Sequence, residues 1–143
     1  MSRREAERRS LPVLATFVSY GLAGVPPTIM GVGPVYAVPK ALALAGRTLE
    51  SVDLFELNEA FASQAVHCAA ELKVPPSKMN VNGGAIALGH PLGCTGARLV
   101  VSIVAELGRR GGGTGVVTMC VGTGMGAAAV IDVNPRPEGR TKL

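Results

Sequence analysis

Tryptophan is absent from this 143-residue chain, and two tyrosines and three phenylalanines are its only aromatic side chains. Stacking of unpaired nucleobases needs several aromatic faces, so that mode of nucleic-acid binding has no platform here. The formal charge of +4 does not restore it. Residues 1–10 hold four arginines against two glutamates, and residues 134–143 hold three basic residues against one glutamate; the segment between them balances seven basic against seven acidic residues. A neutral body with basic ends lacks the contiguous basic face of a phosphate-backbone binder, and no nucleic-acid partner is expected.

Cysteine is scarce as well. Cys68, Cys94 and Cys120 are odd in number and contain no CxxC pair, which argues against a disulfide framework and against a structural zinc site, and points to a reducing compartment. No metal site is expected. Cys94 lies four residues after His90, but no further ligands stand at zinc spacing. No apolar run approaches the ~18 residues of a membrane span, and the basic start is followed by no signal-peptide core. Neither glycine-rich run contains the GK[ST] of a phosphate loop.

What the chain has in quantity is small residues. Nineteen glycines accompany a hydrophobic share of 48%, so one domain's worth of chain must build its core from Ala, Val, Leu and Gly, which let helices and sheet approach closely. Val13 to Tyr20 is β-rich and mostly apolar, as a buried strand requires. A loop is expected at Gly21, Gly24, Pro26 and Pro27. Residues 33–45, with Pro34 near the start and Gly46 past the end, predict a helix in which Pro39 should introduce a kink or delay the start.

Val52 to Leu57 predicts a second strand. Residues 59–73 predict an amphipathic helix with Phe61, Ala65, Cys68 and Leu72 on its apolar face and Ser63, Gln64, His67 and Glu71 on the other. On that reading His67 faces solvent, Cys68 faces the core, and Glu59 favours the dipole of the first turn. Another helix is expected from Leu92 to Leu107, followed by a hairpin of strands 114–121 and 127–133. The order β, α, β, α, α, β, β is an α/β layout with mixed strand pairing.

The chemistry concentrates between Asn80 and Arg98, NVNGGAIALGHPLGCTGAR, where His90 is framed by glycines 83, 84, 89, 93 and 96. Glycine permits close backbone approach and positive φ at an entropic cost, and five of them around one imidazole suggest a rigidly held site. Imidazole exchanges protons near neutral pH. Two other blocks stand out. Asn58-Glu59-Ala60-Phe61-Ala62 follows the second strand, where an Asn58 amide can cap the next helix or hold a water. Met119-Cys120-Val121-Gly122-Thr123-Gly124-Met125-Gly126 leads into a strand, unlike the GxGxxG of a dinucleotide site, which opens a helix.

These three blocks, in this order and spacing, resemble the C-terminal half of the thiolases, the acetyl-CoA acyltransferases that cleave or form 3-ketoacyl-CoA. The similarity runs from about Leu11 to Val133, and the stretch from Ser19-Tyr20 to Gly33-Pro34 resembles the peroxisomal 3-ketoacyl-CoA branch. The resemblance implies a layered α/β/α/β/α fold of two similar halves, of which residues 11–133 supply the C-terminal one. Residues 1–10 are then a charged lead-in or the end of a preceding domain, and 134–143 a basic tail.

It also implies site roles. His90 would activate a nucleophilic cysteine and donate to a thioester oxygen. Cys120 would exchange the substrate's α-proton, a task a thiol suits near neutrality if a neighbour lowers it modestly. Asn58 would position a water, and the Gly122 N–H would form part of an oxyanion hole. Cys94 would pack near the site.

CoA and acyl-CoA are the implied substrates, with no covalently bound cofactor. The implied partners are an N-terminal domain carrying the nucleophilic cysteine, whose motif is not found in these residues, and a second copy in a homodimer. Without that domain the chain is expected to be catalytically incomplete. The peroxisome is the expected compartment, from the branch and from the Thr141-Lys142-Leu143 end, with cytoplasm or mitochondrion as the alternative. A non-catalytic acyl-CoA-binding or subunit-interaction module is the other reading; joint retention of Asn58, His90 and Cys120 favours the enzyme lineage.

Overall fold

Strands covered on both faces must be apolar at nearly every position, and the last two strands of this chain are. The structure, a computed structural model, describes residues 1–136. Its centre is a four-stranded mixed sheet in the order β1-β4-β3-β2, formed by β1 (Ala15–Gly24), β2 (Leu54–Leu57), β3 (Gly113–Val121) and β4 (Met125–Val133). The β3–β4 hairpin is antiparallel, β1 adds antiparallel to β4, and β2 pairs in parallel with β3. Among the described residues five α-helices accompany it: α1 (Arg3–Arg8), α2 (Gly33–Ala45), α3 (Ala62–Glu71), the short α4 (Ala85–Leu88) and α5 (Thr95–Arg109).

Alternation along the hairpin divides the core in two. Val116, Ala128 and Val130 pack against Ala37, Val38, Ala41 and Leu42 of α2. Val117, Ala129, Ile131 and Val133 pack against Leu99, Ile103 and Leu107 of α5. Layers α2, sheet and α5 therefore follow from the period-two pattern of the strands meeting the apolar stripes of two helices. This is the mixed α/β layout that the element order predicts.

The boundaries differ in instructive ways. β1 runs through Gly21 to Gly24 instead of breaking into a loop. A Cβ at Gly21 would lie 2.6 Å from the Ala41 amide nitrogen of α2, so this glycine is a point of helix–strand contact rather than a turn. Beside it the Ser19 hydroxyl donates to the Ala41 carbonyl at 2.7 Å. In α2, Pro39 sits on the exposed side and does not delay the start, and Gly46 closes the helix in the left-handed conformation at φ 63°.

Together with the preceding 3-10 turn (Pro27–Val32), α2 makes a stretch from Pro27 to Ala45 that is long and apolar enough, by length and composition, to cross a membrane; the sequence expectation had excluded any such run. Its backbone is non-helical at Ile29, and α2 buries its apolar stripe on the sheet as a core helix does.

α3 starts at Ala62, three residues later than expected, with Phe61 in an extended N-cap conformation and no capping side chain. Phe61 is consequently exposed, while Gln64 takes a buried place near Cys68, to whose sulfur it donates at 3.7 Å. His67 faces solvent and Cys68 the core, as the helical spacing predicts.

Replacing Gly21 by alanine is expected to destabilise the domain by about 1–3 kcal/mol, the usual cost of overpacking against an immovable backbone. Urea unfolding followed by circular dichroism measures it, and an unchanged midpoint would show that α2 does not rest on β1 at this position.

Candidate active site

Parallel strands β2 and β3 point the same way, so the segments leaving their C-terminal ends gather at one edge of the sheet. Asn58 directly follows β2, and its amide nitrogen donates to the Thr118 carbonyl at 2.9 Å, extending the pairing by one residue. Cys120 lies two residues farther along β3, half-buried, and Gly122 is exposed in the turn beyond. A Cβ at Gly122 would meet nothing within 4 Å, which leaves its backbone facing open space.

The glycine block comes to this edge through Asn80. This residue, at φ 47°, uses its side chain as a surrogate strand: the Leu57 N–H donates to its Oδ1 and its Nδ2 donates to the Leu57 carbonyl, both at 2.9 Å. The same Nδ2 donates to Glu59 Oε1 at 2.8 Å, and Glu59 Oε2 accepts the Ile86 N–H at 3.1 Å. Gly84 lies so close to the Glu59 carboxylate that a Cβ there would overlap it at about 2.1 Å. Only glycine fits. Glu59 therefore lies outside α3 and ties the loop after β2 to the start of α4, which corrects its assignment as a first-turn helix acid.

His90 follows α4 and Gly89, whose φ of 95° turns the chain. Its Nε2 lies 3.3 Å from the Asn58 Nδ2, and its Nδ1 lies 2.6 Å from the hydroxyl of Thr95, the first residue of α5. Asn58 is fully buried, and its Oδ1 has no protein partner. The amide is thus committed to His90 and the site, and the alternative of a helix cap does not hold. An unpartnered buried carbonyl oxygen is costly unless water or ligand reaches it.

The structure brings Asn58 and His90 into direct contact and places Cys120 and Gly122 at the same sheet edge. Among the described residues no hydrogen bond joins Cys120 to His90 or Asn58. Burial pushes the Cys120 thiol up, outweighing a backbone hydrogen bond, so the condition of a neighbour that lowers it is not met among the described residues. A thiol so placed holds its proton near neutral pH and becomes the stronger base once it loses it. Cys94 is exposed at the N-cap of α5 rather than packed, because the turn from Pro91 carries it outward.

Thr95, Asn80 and the bridging role of Glu59 were not singled out in the sequence. The one available signal was the position of Asn80 at the start of the glycine run, since asparagine tolerates positive φ better than other non-glycine residues.

Next to this network Arg98 of α5 donates to Glu56 of β2 at 2.8 Å. Desolvation raises the buried Glu56 carboxyl to about 7 despite this pairing, with further upward pushes from Glu59 and Glu106. Glu106 is pulled down to about 2 by Asn82, Arg110 and Arg109.

A profile of the thiolase C-terminal domain matches residues 11–133. The chain belongs to the thiolase family. It is 60% identical over 131 residues to the human peroxisomal 3-ketoacyl-CoA thiolase, covering 91% of this chain and 31% of that protein. It therefore spans about a third of the length of this curated relative.

Among solved structures, the peroxisomal 3-ketoacyl-CoA thiolase of Saccharomyces cerevisiae matches with a TM-score of 0.88 and 52% identity, over 92% of this chain and 37% of that one. That protein is described as a five-layered α-β-α-β-α structure built from two core domains of identical topology. Human mitochondrial 3-ketoacyl-CoA thiolase in complex with CoA matches with a TM-score of 0.90 and 46% identity, over 93% of this chain and 34% of that one. The fold of the chain is thus that of a thiolase C-terminal half.

Glu56 and Glu106, the two carboxyls shifted furthest, give this thiolase domain a pH profile of stability with two limbs. Glu56 binds its proton more tightly folded than unfolded, so its effect is a loss of stability as pH rises from about 4.5 to about 7. Glu106 binds its proton less tightly folded, so its contribution is present above about 4.5 and lost as pH falls toward 2. Urea midpoints measured from pH 3 to 8 are expected to decline toward neutrality in the native chain, and Glu56→Gln is expected to flatten that limb alone; an unaltered decline in the variant would assign it elsewhere.

Proposed function

We propose that this chain is the acid/base domain of a 3-ketoacyl-CoA thiolase, acting on acyl-CoA and CoA with a nucleophilic cysteine supplied by an N-terminal thiolase domain. The observation that carries the reading is the buried Asn58 amide held on His90 Nε2 at the sheet edge where β3 delivers Cys120 and Gly122.

In the cleavage direction His90 takes the proton of the nucleophilic thiol, and the thiolate attacks the 3-keto carbon of the substrate. The Cα–Cβ bond breaks, the acyl group stays on sulfur as a thioester, and the electron pair passes to Cα. Cys120 gives its proton to that carbon, which releases acetyl-CoA. The thiol of CoA then gives its proton to the Cys120 thiolate and attacks the acyl-cysteine thioester, and the departing nucleophilic sulfur takes back the proton held by His90, giving the shortened acyl-CoA and restoring the site. Asn58, through a water at its free Oδ1, and His90 donate to one thioester oxygen; the Gly122 N–H serves the second oxyanion.

Residues 11–133 form the domain in this proposal, with 1–10 as lead-in and 134–143 as tail. Peroxisomal residence belongs to it, supported by 60% identity to the human peroxisomal enzyme. Thr141-Lys142-Leu143 lies outside the described residues. Dimer formation is included, since the yeast peroxisomal relative is described as dimeric.

The place of the N-terminal domain follows from the layers. Two three-layered domains stacked in five layers share one helical layer. In this chain the face beside α5 suits that role. Phe17, Tyr20 and Leu22 of β1 stand opposite Ile131, Ala129 and Ala127 of β4, which puts them on the α5 side of the sheet, where they are 62%, 51% and 54% exposed. Val101 of α5 is 67% exposed, and an apolar groove of about 360 Å³ runs between Leu14 and Val100, Val101, Val104 and Ala105. Exposed apolar side chains gathered on one face of the sheet suit an interface.

Purified alone, the chain is expected to give no CoA-dependent cleavage of acetoacetyl-CoA, and co-expression with a thiolase N-terminal domain is expected to yield activity that His90→Ala removes by at least about a thousandfold. Turnover by the chain alone, or an assembled enzyme indifferent to His90→Ala, would overturn the proposal. Leu22→Glu and Val101→Glu are expected to leave the circular dichroism spectrum intact and to abolish copurification with the N-terminal domain; copurification of both variants at native yield would move the interface elsewhere.

A further inference from the structure

We propose that Thr95 is a positioning residue that holds His90 as its Nδ1–H tautomer and so presents Nε2 to the site as the bare, proton-accepting nitrogen. The inference rests on the reading of His90 as the site's base and adds the device that decides which of its two nitrogens performs that task.

The geometry starts from the Pro91 carbonyl. It accepts the N–H groups of Cys94 at 2.8 Å and Thr95 at 3.0 Å, which closes a turn between His90 and α5. The Thr95 hydroxyl lies 3.1 Å from the same carbonyl oxygen and 2.6 Å from His90 Nδ1. A carbonyl can only accept, so a hydroxyl that donates to Pro91 must accept from Nδ1, and Nδ1 then carries the proton. Nε2 is left as an acceptor, which matches the Asn58 Nδ2 placed 3.3 Å away. All three contacts are then hydrogen bonds with correct polarity.

The opposite tautomer fits less well. With the proton on Nε2, the threonine hydroxyl would turn toward Nδ1 and abandon the Pro91 carbonyl, and the Asn58 amide would have to rotate to offer its oxygen. That arrangement makes two hydrogen bonds where the first makes three. Thr95 is 2% exposed, and its Oγ1 is held in place by the Pro91 carbonyl four residues back, one of the positions a helical threonine favours. The placement is built into the chain: the residue that opens α5 also sets the proton on the histidine that precedes the turn.

The assignment matters because only an unprotonated Nε2 can take a thiol proton on the Asn58 side of the ring. A histidine free to exchange tautomers would present a donor there for part of the time.

Long-range proton–nitrogen correlation NMR on the ¹⁵N-labelled chain at about pH 8.5, where imidazoles are neutral, reads the tautomer directly. Solvent-facing His67 supplies an internal reference in the same spectrum. The native chain is expected to show His90 as Nδ1–H, Thr95→Ser to retain that signature, and Thr95→Val, of similar shape without the hydroxyl, to move the ratio by about tenfold or more toward Nε2–H. Predominant Nε2–H in the native chain would overturn the assignment, as would an unchanged ratio in a folded Thr95→Val. If Thr95→Val does not fold, the native spectrum still decides between the two tautomers. No substrate and no second domain enter the measurement, so a failure of the thiolase reading leaves this result standing, and loss of the Nδ1–H signature leaves the activity test untouched.

Discussion

The grip of the Asn80 side chain on both backbone groups of Leu57 is the constraint on which the site depends. Strand β2 has only four residues and lies at the edge of the sheet, and an edge strand so short has unpaired polar groups and little to hold its end in register. By supplying one acceptor and one donor, Asn80 completes the ladder there and pins the segment that carries His90 to the strand that ends at Asn58. Glu59 repeats the fastening one step outward, through Asn80 and the Ile86 amide. Histidine and asparagine, 32 residues apart in sequence, are thus positioned by backbone-like hydrogen bonds rather than by packing. Such bonds are directional, which suits a site whose function requires fixed donor and acceptor angles.

Around this fastening the electrostatics are arranged in layers of burial. Glu56 and Arg98 form an ion pair across β2 and α5, yet the carboxylate is so far from water that desolvation outweighs its partner. A buried pair of this kind contributes little net stability, because desolvation offsets its attraction. Cys120 experiences the same desolvation without a compensating charge. Both groups show a region prepared for exclusion of water, although the histidine between the two loops is only half-buried in this chain.

Much of this was legible in the sequence because the signals were strong and local. The hairpin followed from two β-rich runs around a glycine turn, α2 from its proline and glycine punctuation, and α5 from the glycines at 108 and 111–113 that end it. Errors arose where one residue type serves two purposes. Gly21 has the look of a turn former and acts as a spacer under Ala41, a distinction that depends on residues twenty positions away. Phe61 has the phase of a helical core residue and falls just outside the helix. The site's histidine and its companions were visible through motif order, whereas Asn80 and Thr95 act through backbone groups brought near only by folding.

The strand order carries a consequence for how the molecule forms. β1 is the first strand in the chain, yet its sheet partner is β4, with register pairs such as Ala15 and Val133 at opposite ends of the domain. The sheet cannot close until nearly all of the domain has been synthesised, and until then β1 offers an unpaired, apolar ribbon. Contacts of such separation slow folding through the entropy of closing a long loop. During translation the emerging chain must therefore be shielded for the time it takes a ribosome to reach the final strand, which makes the nascent domain a natural client for chaperones.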